Sequence, residues 1–405
     1  MKILMVNKFL FPNGGSETYM FELGKALQAA GNKVQYFGME HEGRCVGNHA
    51  EAYTSSMDFH GGSKLKKLTY PLKTIYSTEA RKKIRLVLDD FQPDIVHLNN
   101  FNYQLTPSVI LEIADWRKHA GKPCKIVYTA HDFQLVCPNH MLFDPGAGHV
   151  CEDCLGGHFS ACSKHACIHG SKAKSAVGTM EAEYWKARRA YKYLDKVICP
   201  SAFVKSKLDS SPVLASKTVV VPNFITLPEG TDDASEFTAQ LPGKYVLYFG
   251  RYSAEKGFNT MLSAVRECAD VNFVFAGGGP LESELEGLPN VMNAGFRSGN
   301  QLCELISRAE VCLCPSEWYE VFGLTVGEAM KLGTSVIGTT MGAIPENIKD
   351  GENGILIPPG EPMMLTRAIL KLWHEPEMSA KLSQGAKETE YLSAEDYLKT
   401  LREIV

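Results

Sequence analysis

Two glutamates flank the predicted start of a helix near the C-terminal end of the chain. They are Glu320 and Glu328, eight residues apart in the run CPSEWYEVFGLTVGEAM that spans residues 314–330. Unpaired amides at a helix start, together with the positive end of the helix dipole, suit a diphosphate. These amides lie around Phe322, Gly323 and Leu324, and Val321 beside them is a further candidate for donor binding. Such a segment can contact a sugar through Glu320, phosphates through the backbone and ribose hydroxyls through Glu328. The alternative is a surface helix with two solvated glutamates.

Two cations follow another predicted strand earlier in the chain. The run Tyr245–Phe249 is typical of a buried strand, and Arg251 and Lys256 lie in the loop after it. Open α/β sheets bind ligands beyond the carboxyl ends of their strands. An arginine and a lysine at that place therefore suit a diphosphate, and ordinary loop charges are the alternative.

These motifs resemble those of the retaining glycosyltransferases of the large GT4 family. Residues Gly250–Gly257 match the pattern G-R-x-x-x-x-K-G, and Glu320–Ala329 match E-x-F-G-x-x-x-x-E-A. The resemblance extends to Asn13–Glu17 after the first strand, to His131-Asp132 after the fourth and to Ala276–Pro280, so it covers nearly the whole chain. It implies an α/β protein of the GT-B fold, with two Rossmann-like domains facing a cleft.

The composition is that of an ordinary globular protein, with 44% apolar and 22% charged residues among 405. This length predicts two domains of roughly 150 to 200 residues. The sequence has no apolar run of about 18 residues, which a membrane span would require. The opening Met1–Val6 is typical of a strand rather than a signal peptide. Basic residues outnumber acidic ones 25 to 19 in residues 1–200 but trail 17 to 27 in the rest, so we expect the first half to face something anionic. An overall pI near 6.3 argues against nucleic acid as a partner.

Strand-like runs alternate with helical patterns in both halves, as in parallel βαβ units. The expected strands are Lys2–Val6, Lys33–Met39, Asp94–Leu98, Lys125–Ala130 and Lys196–Cys199, then Tyr245–Phe249, Asn272–Ala276, Val311–Cys314 and Ser335–Gly338. We predict an N-terminal domain over residues 1–224, with a Cys-rich insertion at 137–170, and a C-terminal domain over 244–385. A polar, acidic linker at 225–243 joins them. By the resemblance, residues 386–405 form a helix that crosses back to the first domain.

The resemblance also implies roles in the first domain. Gly14 and Gly15 would let the backbone come close to the donor phosphates and the acceptor, while Ser16 can cap the helix Thr18–Ala30. His131 would contact the transferred sugar or its leaving phosphate, and Asp132 would orient the loop. A plain turn and a structural histidine are the alternatives.

In the second domain, the implied donor contacts are glycines and one exposed loop. Gly278 and Gly279 would admit the donor closely, and the main chain near Phe296 and Arg297 would recognise the nucleobase. Ordinary loop packing is the alternative for the last two side chains.

The mechanism implied by the resemblance is transfer with retention of anomeric configuration, by front-face attack through an oxocarbenium-like ion pair. The leaving diphosphate would accept the proton of the acceptor. Arg251, Lys256 and the helix amides would stabilise the charge that develops on the β-phosphate, each contact contributing about 2–4 kcal/mol at the barrier. The chain contains no Asp-x-Asp triplet, so we expect catalysis without a metal or other cofactor.

Five of the twelve cysteines fall within a short stretch of the first domain. They are Cys137, Cys151, Cys154, Cys162 and Cys167. Thiolates suit tetrahedral zinc, and a cytosolic compartment disfavours disulfides. We expect a structural zinc ion with Cys151, Cys154, Cys162 and Cys167 as the simplest ligands and Cys137 as a further candidate. Free buried thiols and disulfide or redox chemistry are the alternatives. By the resemblance, this insertion would shape the acceptor side.

The segment Ser63–Leu88 is rich in cations and apolar residues. It contains Lys64, Lys66, Lys67, Lys73, Arg81, Lys82, Lys83 and Arg85 against one acid, Glu79. This pattern predicts a stripe that lies on an anionic membrane surface and admits a lipid-linked acceptor. A solvated helix face is the alternative.

Three classes of function fit these features. The first is a retaining glycosyltransferase that uses a UDP or GDP sugar and a glycan or lipid-linked acceptor to build a surface polysaccharide. The second is a nucleotide-sugar epimerase or a phosphorylase on the same fold. The third is a zinc-bearing binding protein with a vestigial transferase site, against which the intact charged residues argue. The expected location is the cytoplasm, with peripheral attachment to the inner membrane face.

Overall fold

The structure, a computed structural model, describes residues 1–56, 73–227 and 234–404. They form two compact units. Unit 1 comprises Met1–Asn223 and Ala394–Val405, and unit 2 comprises Phe224–Ser393. Each unit contains a six-stranded sheet whose neighbouring strands are all parallel. The predicted α/β architecture of two Rossmann-like domains is therefore confirmed for each unit.

The strands of unit 1 are short and mostly buried. They are β1 (Lys2–Val6), β2 (Lys33–Phe37), β3 (Ile95–Leu98), β4 (Lys125–Thr129), β5 (Phe143–Asp144), β6 (His149–Val150), β7 (Lys196–Cys199) and β8 (Thr218–Val220). The parallel sheet has the order β2-β1-β3-β4-β7-β8, whereas β5 and β6 form a separate antiparallel pair. The chain winds to one side of β1 for β2 and to the other for β3, so the winding direction reverses beside β1.

Helices connect these strands. They are α1 (Gly15–Ala29), α2 (Thr78–Phe91), α3 (Ser108–His119), α4 (Ser160–His165), α5 (Lys172–Arg188) and α6 (Ala202–Leu208). Ser77, Ser171 and Ser201 cap the N-termini of α2, α5 and α6 because each side chain accepts a hydrogen bond from a backbone amide of the first turn.

Unit 2 repeats the same design. Its strands are β9 (Val246–Arg251), β10 (Phe273–Gly278), β11 (Val291–Gly295), β12 (Val311–Cys314), β13 (Val336–Thr339) and β14 (Gly354–Ile357), in the sheet order β11-β10-β9-β12-β13-β14. Its helices are α7 (Ser235–Thr238), α8 (Phe258–Glu267), α9 (Gly299–Ser307), α10 (Leu324–Lys331), α11 (Ile344–Asn347), α12 (Pro362–His374) and α13 (Pro376–Lys387). Buried aromatic residues of β9, β10 and α8, among them Tyr248, Phe258 and Phe275, pack together at the centre of the core.

The last helix, α14 (Ala394–Ile404), belongs to unit 1. Its buried Tyr397 places its hydroxyl 2.6 Å from that of Tyr19 on α1, and Tyr19 also lies 3.3 Å from the hydroxyl of Thr129 at the end of β4. A helix was expected from residue 386 onward, but residues 386 and 387 end α13 within unit 2. The part that groups with unit 1 begins at Ala394.

Several boundaries differ from the expectation. Strands β5, β6, β8 and β14 were not expected. Helix α1 begins at Gly15 rather than Thr18, with Gly14 as its N-cap residue. Within the expected linker, the described residues 234–243 include the short helix α7. Among the described residues, none of the helices combines the length and apolarity that a bilayer span requires.

Candidate functional site

The motif residues of unit 2 gather at the carboxyl edge of its sheet. Strand β9 lies between β10 and β12, and the winding direction reverses between β9 and β12. Open α/β sheets bind ligands at such a switch point, because the loops after the two strands diverge and leave a crevice. Arg251 ends β9, Lys256 follows in a 3₁₀ turn at Ala254–Lys256, and Glu320 lies in the loop after β12. The three residues predicted for catalysis in this half thus come from the two loops at the switch point.

A buried ion pair lies at the centre of this edge. The Nζ of Lys256 is 2.7 Å from Oε1 of Glu320, whose side chain is 12% exposed. The same Oε1 accepts hydrogen bonds from Oγ of Ser316 at 2.5 Å and from Nε1 of Trp318 at 3.0 Å. Burial would raise the pKa of Glu320, but the charge and hydrogen bond of Lys256, helped by Ser316 and Trp318, hold this pKa below its ordinary value. Glu320 is therefore an anion that three donors fix in one orientation.

Two glycines allow the close backbone packing around the residues of this ion pair. Gly257 has a φ of +72°, and a Cβ there would lie 1.9 Å from the carbonyl oxygen of Pro315. Gly342 has a φ of +61°, and a Cβ there would lie 2.3 Å from the carbonyl oxygen of Glu320. Ala343 also donates its amide to that oxygen at 2.8 Å. Any larger residue would push the loops apart, so the ion pair depends on both glycines.

Arg251 differs from Lys256 in its environment. Its side chain is exposed, and no carboxylate among the described residues forms an ion pair with it. The sequence predicted that both cations serve a diphosphate, but the structure pairs Lys256 with Glu320, 64 residues away along the chain. Of these two cations, Arg251 is thus the one that no carboxylate among the described residues neutralises.

Glu328 lies on α10 and has no hydrogen-bond or ion-pair partner for its carboxylate among the residues described. Desolvation by the surrounding protein raises its pKa to about 7. Gly323 caps α10 in the left-handed region with a φ of +82°, so the amides of Gly323 and Leu324 begin the helix. Val321 and Phe322 precede them, and Asn347 holds the Phe322 carbonyl at 2.7 Å. The predicted amides therefore do lie at a helix start.

The two glycines at the end of β10 differ in what a side chain would meet there. A Cβ at Gly279 would lie 2.5 Å from the carbonyl oxygen of Tyr252, whereas one at Gly278 would meet its nearest neighbour, a carboxylate oxygen of Glu282, at an ordinary 3.5 Å. Gly279 is thus required by the packing of its own unit, and Gly278 is not. In the loop after β11, Phe296 is 79% exposed. The guanidinium of Arg297 lies 4.6 Å from the ring of Phe237 and donates to the carbonyl of Phe296 at 2.9 Å.

His131 lies at the carboxyl edge of the sheet of unit 1. Its Nε2 is 2.8 Å from Oδ1 of Asn99, and its ring meets that of Tyr19 edge-on at 4.8 Å. Burial, with a smaller contribution from His97, lowers the pKa of His131 to about 3, so the ring is neutral. Because the amide oxygen accepts, Nε2 carries the proton and Nδ1 is an acceptor. Burial raises the pKa of Asp132 to about 6, and its Oδ1 accepts the amide of Gln134 at 2.8 Å, which fixes the loop.

Gly14 and Gly15 are exposed at the start of α1. Gly14 has an extended backbone, and a Cβ there would meet only the Glu17 carboxylate at 3.6 Å, so packing within unit 1 does not require a glycine. The predicted cap at Ser16 is wrong, because Ser16 lies inside the helix. Its hydroxyl accepts a hydrogen bond from Nδ2 of Asn100 at 3.0 Å.

The structure divides the predicted zinc ligands into two groups. Cys154, Cys162 and Cys167 are buried together with Phe159. Cys151 lies instead beside His165 and Asp153, and these three form the one group of metal-binding side chains that lies within 4.8 Å among the described residues. Cys137 donates to Oδ1 of Asn139 at 2.8 Å.

The basic stripe is only partly described. Lys64, Lys66 and Lys67 lie outside the described residues. Within α2, Arg81 and Arg85 both form ion pairs with Glu112 of α3, and Arg85 also pairs with Asp115 at 2.8 Å. The sequence counted only one acid near this stripe because acids on a neighbouring helix are distant along the chain.

Sequence reasoning assigned no role to several residues that shape both edges. They are Tyr19, Asn99, Ser316, Trp318 and Gly342. Ser316 and Trp318 lie inside the quoted Glu320 motif, so their closeness to a candidate carboxylate was a usable signal. Gly342 follows a predicted strand, where a glycine often marks a close backbone approach. Asn99 and Tyr19 gave no signal, because their contact with His131 depends on the sheet.

Two family models match the sequence. The model described as Glycosyltransferase Family 4 matches residues 13–228. The model described as Glycosyl transferases group 1 matches residues 232–389. Since the first covers more than half of the chain, the chain belongs to Glycosyltransferase Family 4, as the sequence motifs indicated.

Individual relatives are similar over different lengths. The chain is 26% identical over 231 residues to the uncharacterized glycosyltransferase MJ1178 of Methanocaldococcus jannaschii, a match that covers 55% of this chain and 61% of that relative, so the chain spans about three fifths of its length. It is 22% identical over 362 residues to an uncharacterized 42.6 kDa protein in the cps region of Klebsiella pneumoniae, with 85% of this chain and 87% of that protein covered.

A solved structure of Anabaena HepE in complex with UDP is similar over 100% of this chain and 99% of that chain, with a TM-score of 0.66 and 18% identity. At this identity the likeness shows the fold, which is GT-B.

The ion pair predicts a stability effect. Lys256→Met removes the counter-charge of a buried carboxylate, so we expect the free energy of unfolding to fall by about 2–4 kcal/mol at neutral pH. The double variant Lys256→Met/Glu320→Gln should recover most of this loss. Denaturant unfolding measures it, with Arg251→Met as the control that should stay near wild type.

The sign of the pH dependence follows from the lowered pKa of Glu320. A carboxyl with a depressed pKa in the folded state stabilises above its unfolded pKa, and that contribution is lost as pH falls through the folded value. The deficit of Lys256→Met should therefore shrink on acidification. If Lys256→Met is as stable as wild type at neutral pH, the stabilising role of the ion pair is contradicted.

Proposed function

We propose that this chain is a retaining glycosyltransferase that transfers a sugar from a nucleotide-sugar donor to a glycan or lipid-linked acceptor of a surface polysaccharide. The observation that carries the proposal is the edge of unit 2. There, Arg251 ends β9, Glu320 is a fixed carboxylate in the loop after β12, and the start of α10 with Glu328 follows that loop. Among the described residues, neither Arg251 nor Glu328 pairs with an opposite charge. A nucleotide-sugar presents the complementary groups, namely sugar hydroxyls, ribose hydroxyls and a diphosphate.

The sugar is the proposed partner of Glu320. Lys256, Ser316 and Trp318 all donate to Oε1, which leaves Oε2 to accept hydrogen bonds from sugar hydroxyls. A carboxylate already oriented by three donors loses little entropy on binding, so it would position the sugar for reaction. Lys256 then acts by keeping Glu320 ionised and by adding positive charge near the leaving group.

The diphosphate is the proposed partner of Arg251 and of the amides at the start of α10. These donors would stabilise the negative charge that develops as the bond from the anomeric carbon to the phosphate oxygen breaks, without a divalent ion. A donor aimed at such charge lowers the activation barrier by about 2–4 kcal/mol. The acceptor hydroxyl attacks from the face that the diphosphate leaves, and its proton passes to the diphosphate. The new bond keeps the configuration of the old one.

The nucleobase would be a uracil or a guanine, recognised near Phe296 and Arg297. The complex of HepE with UDP supports a uridine donor by analogy of fold. The exposed ring of Phe296 offers a face on which a base can stack. Gly278, which packing within its unit does not require, would leave room for the donor.

In unit 1, His131 would bind a sugar hydroxyl rather than a phosphate. Its neutral ring offers an acceptor at Nδ1, while the proton on Nε2 already faces Asn99. A neutral acceptor cannot stabilise an anion, so the leaving phosphate is not its partner. The exposed Gly14 and Gly15 would admit a ligand close to the start of α1.

The experiment that tests the reaction follows the anomer released from the donor. Stability screening against UDP, GDP and ADP sugars identifies the donor, because a ligand that binds the native state raises its stability. Proton NMR of slow donor hydrolysis should then show the anomer of the donor first, and EDTA should not reduce the rate. Arg251→Ala should lower the rate about 100-fold or more. Release of the opposite anomer would refute retention.

Other outcomes would select the other classes of function. Formation of an isomerised nucleotide sugar without cleavage would indicate an epimerase, and phosphate-dependent cleavage would indicate a phosphorylase. Donor binding with no turnover in any condition would indicate a vestigial site.

The pKa of Glu328 predicts a pH-dependent affinity for the nucleotide. With its pKa raised to about 7, the carboxyl is protonated below that pH and ionised above it. The ionised form accepts more hydrogen bonds from ribose, so UDP or GDP affinity should rise between pH 6 and 8 by about three- to tenfold more in wild type than in Glu328→Gln.

The variant Glu328→Gln controls for the titration of the nucleotide itself, because the amide at position 328 does not titrate. It should also be no less stable than wild type at pH 8, since a carboxyl with a raised folded pKa destabilises the fold when it ionises. Equal pH slopes in both proteins would remove Glu328 from the ribose site.

Attachment to an anionic membrane is a second part of the proposal, on the side of the acceptor. With Arg81 and Arg85 neutralised by α3, the described support is Lys82, Lys83 and the 52% exposed Leu86 of α2. Each such charge contributes ~1 kcal/mol near an anionic surface.

The variant Lys82→Glu/Lys83→Glu should therefore sediment with anionic vesicles at least about tenfold less than wild type. The variant Lys172→Glu/Lys174→Glu, with the same charge change on exposed residues of α5, should sediment as wild type does. Wild-type protein that stays in solution at physiological salt would refute the attachment.

A further inference from the structure

The Cys-rich segment, residues 137–170, has very little regular structure of its own. It contains the two-residue strands β5 and β6, a 3₁₀ turn at Leu155–Gly157 and the six-residue helix α4. A segment of this length and irregularity needs a further source of stability, because few backbone hydrogen bonds and few apolar side chains hold it.

One buried cluster of the segment consists mainly of thiols. Cys154, Cys162 and Cys167 are 5%, 1% and 8% exposed, and Phe159 is the fourth buried member of the cluster. Free buried cysteines act elsewhere as small apolar residues. Here, however, they make up three of the four buried members and alternate along the chain with further metal-binding side chains.

Those side chains come from two parts of the segment. The Sγ of Cys151, directly after β6, is 3.9 Å from Nδ1 of His165 at the end of α4. Nε2 of His165 is 3.4 Å from Oδ2 of Asp153. One ligand atom from each of Cys151, Asp153 and His165 lies within 4.8 Å of the other two. Ligands of one zinc ion are separated by about 3–4 Å, since each lies 2.0–2.3 Å from the metal.

A second observation is the backbone around this group. Of the nine non-glycine residues with positive φ among the described residues, four lie in the segment: His140, Leu142, Ala166 and His169. Each such residue costs about 1–2 kcal/mol, so the conformation persists only when strong contacts fix it. Ala166 directly follows His165, and its left-handed backbone turns the chain between His165 and the buried Cys167.

We propose that this segment binds one zinc ion through Cys151, Asp153 and His165, with Cys167 as the fourth ligand. A structural zinc site is four-coordinate, and Cys167 is the buried cysteine that follows His165 by two residues along the chain. Asp144 supports the site from outside: its Oδ2 lies 3.2 Å from Nδ1 of His165 in the present arrangement, and its Oδ1 accepts the amide of Gly146.

This ligand set differs from the four cysteines expected from the sequence. Cys154 and Cys162 remain packing residues beside Phe159 in the proposed site. The zinc would tie β6 to the far end of α4 and supply folding free energy to the segment. The proposal stands whatever the chain's catalytic activity is.

Metal analysis of the full chain, expressed without added metal, is the test. We expect about one zinc per chain in wild type and less than about a fifth of that in Cys151→Ser and in His165→Ala. Matched controls are Cys45→Ser, an exposed cysteine outside the segment, and His149→Ala, an exposed histidine within it; both should keep the zinc.

A second measurement guards against variants that do not fold. Chelation of the wild-type protein should expose new protease sites between Asp144 and Lys174 before the rest of unit 1 is cleaved, and added zinc should close them. Cobalt substitution of the wild type should give the visible absorption of thiolate-bound cobalt, altered in His165→Ala.

Three results would overturn the proposal. Wild-type protein without zinc would leave His165 as an ion-pair partner of Asp144 and Asp153. Zinc that persists in His165→Ala but is lost in Cys154→Ser and Cys162→Ser would indicate an all-thiolate site. Iron in place of zinc would indicate a cluster of another kind.

Discussion

The buried contact between Lys256 and Glu320 is the interaction on which the candidate donor site depends. A carboxylate in this position loses its hydration, and the cost is offset only because a lysine, a hydroxyl and an indole all donate to one of its oxygens. Those three donors come from the two loops at the switch point of the sheet. The loops after β9 and β12 can approach closely because Gly257 carries no Cβ, and the loop after β13 can pack on Glu320 because Gly342 carries none. The buried carboxylate of Glu320 therefore requires its counter-charge, its hydrogen bonds and the close packing of these loops together.

The same physical logic gives the other charged groups at this edge different properties. Among the described residues, Arg251 has no carboxylate partner and Glu328 has no cation partner, and desolvation raises the pKa of Glu328 to about 7. In unit 1, burial acts on a base and lowers the pKa of His131 to about 3. One cause, desolvation, thus favours the neutral form of both Glu328 and His131, and a specific counter-charge reverses that effect only at Glu320.

Much of the fold was predictable because parallel strands in α/β domains are apolar runs followed by polar loops. Arg251, Lys256 and Glu320 were placed at or just after predicted strand ends in this way, and the structure has them there. Strands β8 and β14, at the edges of their sheets, were missed. The clustered cysteines showed that thiols would meet, but their spacing could not separate Cys151, which lies beside His165, from the buried Cys154 and Cys162.

The sequence by itself determined the family, the alternation of strands and helices, and the residue types at the strand ends, because these depend on local pattern and on neighbours along the chain. Only the tertiary structure decided which charges meet. Lys256 forms an ion pair with Glu320, 64 residues away along the chain. Arg81 and Arg85 form ion pairs with Glu112 on a neighbouring helix. Asn99 and His131, which follow two neighbouring strands, form a hydrogen bond. The ionisation of each group follows from those contacts and from burial. Both are set by packing between distant segments, which no spacing along the chain records.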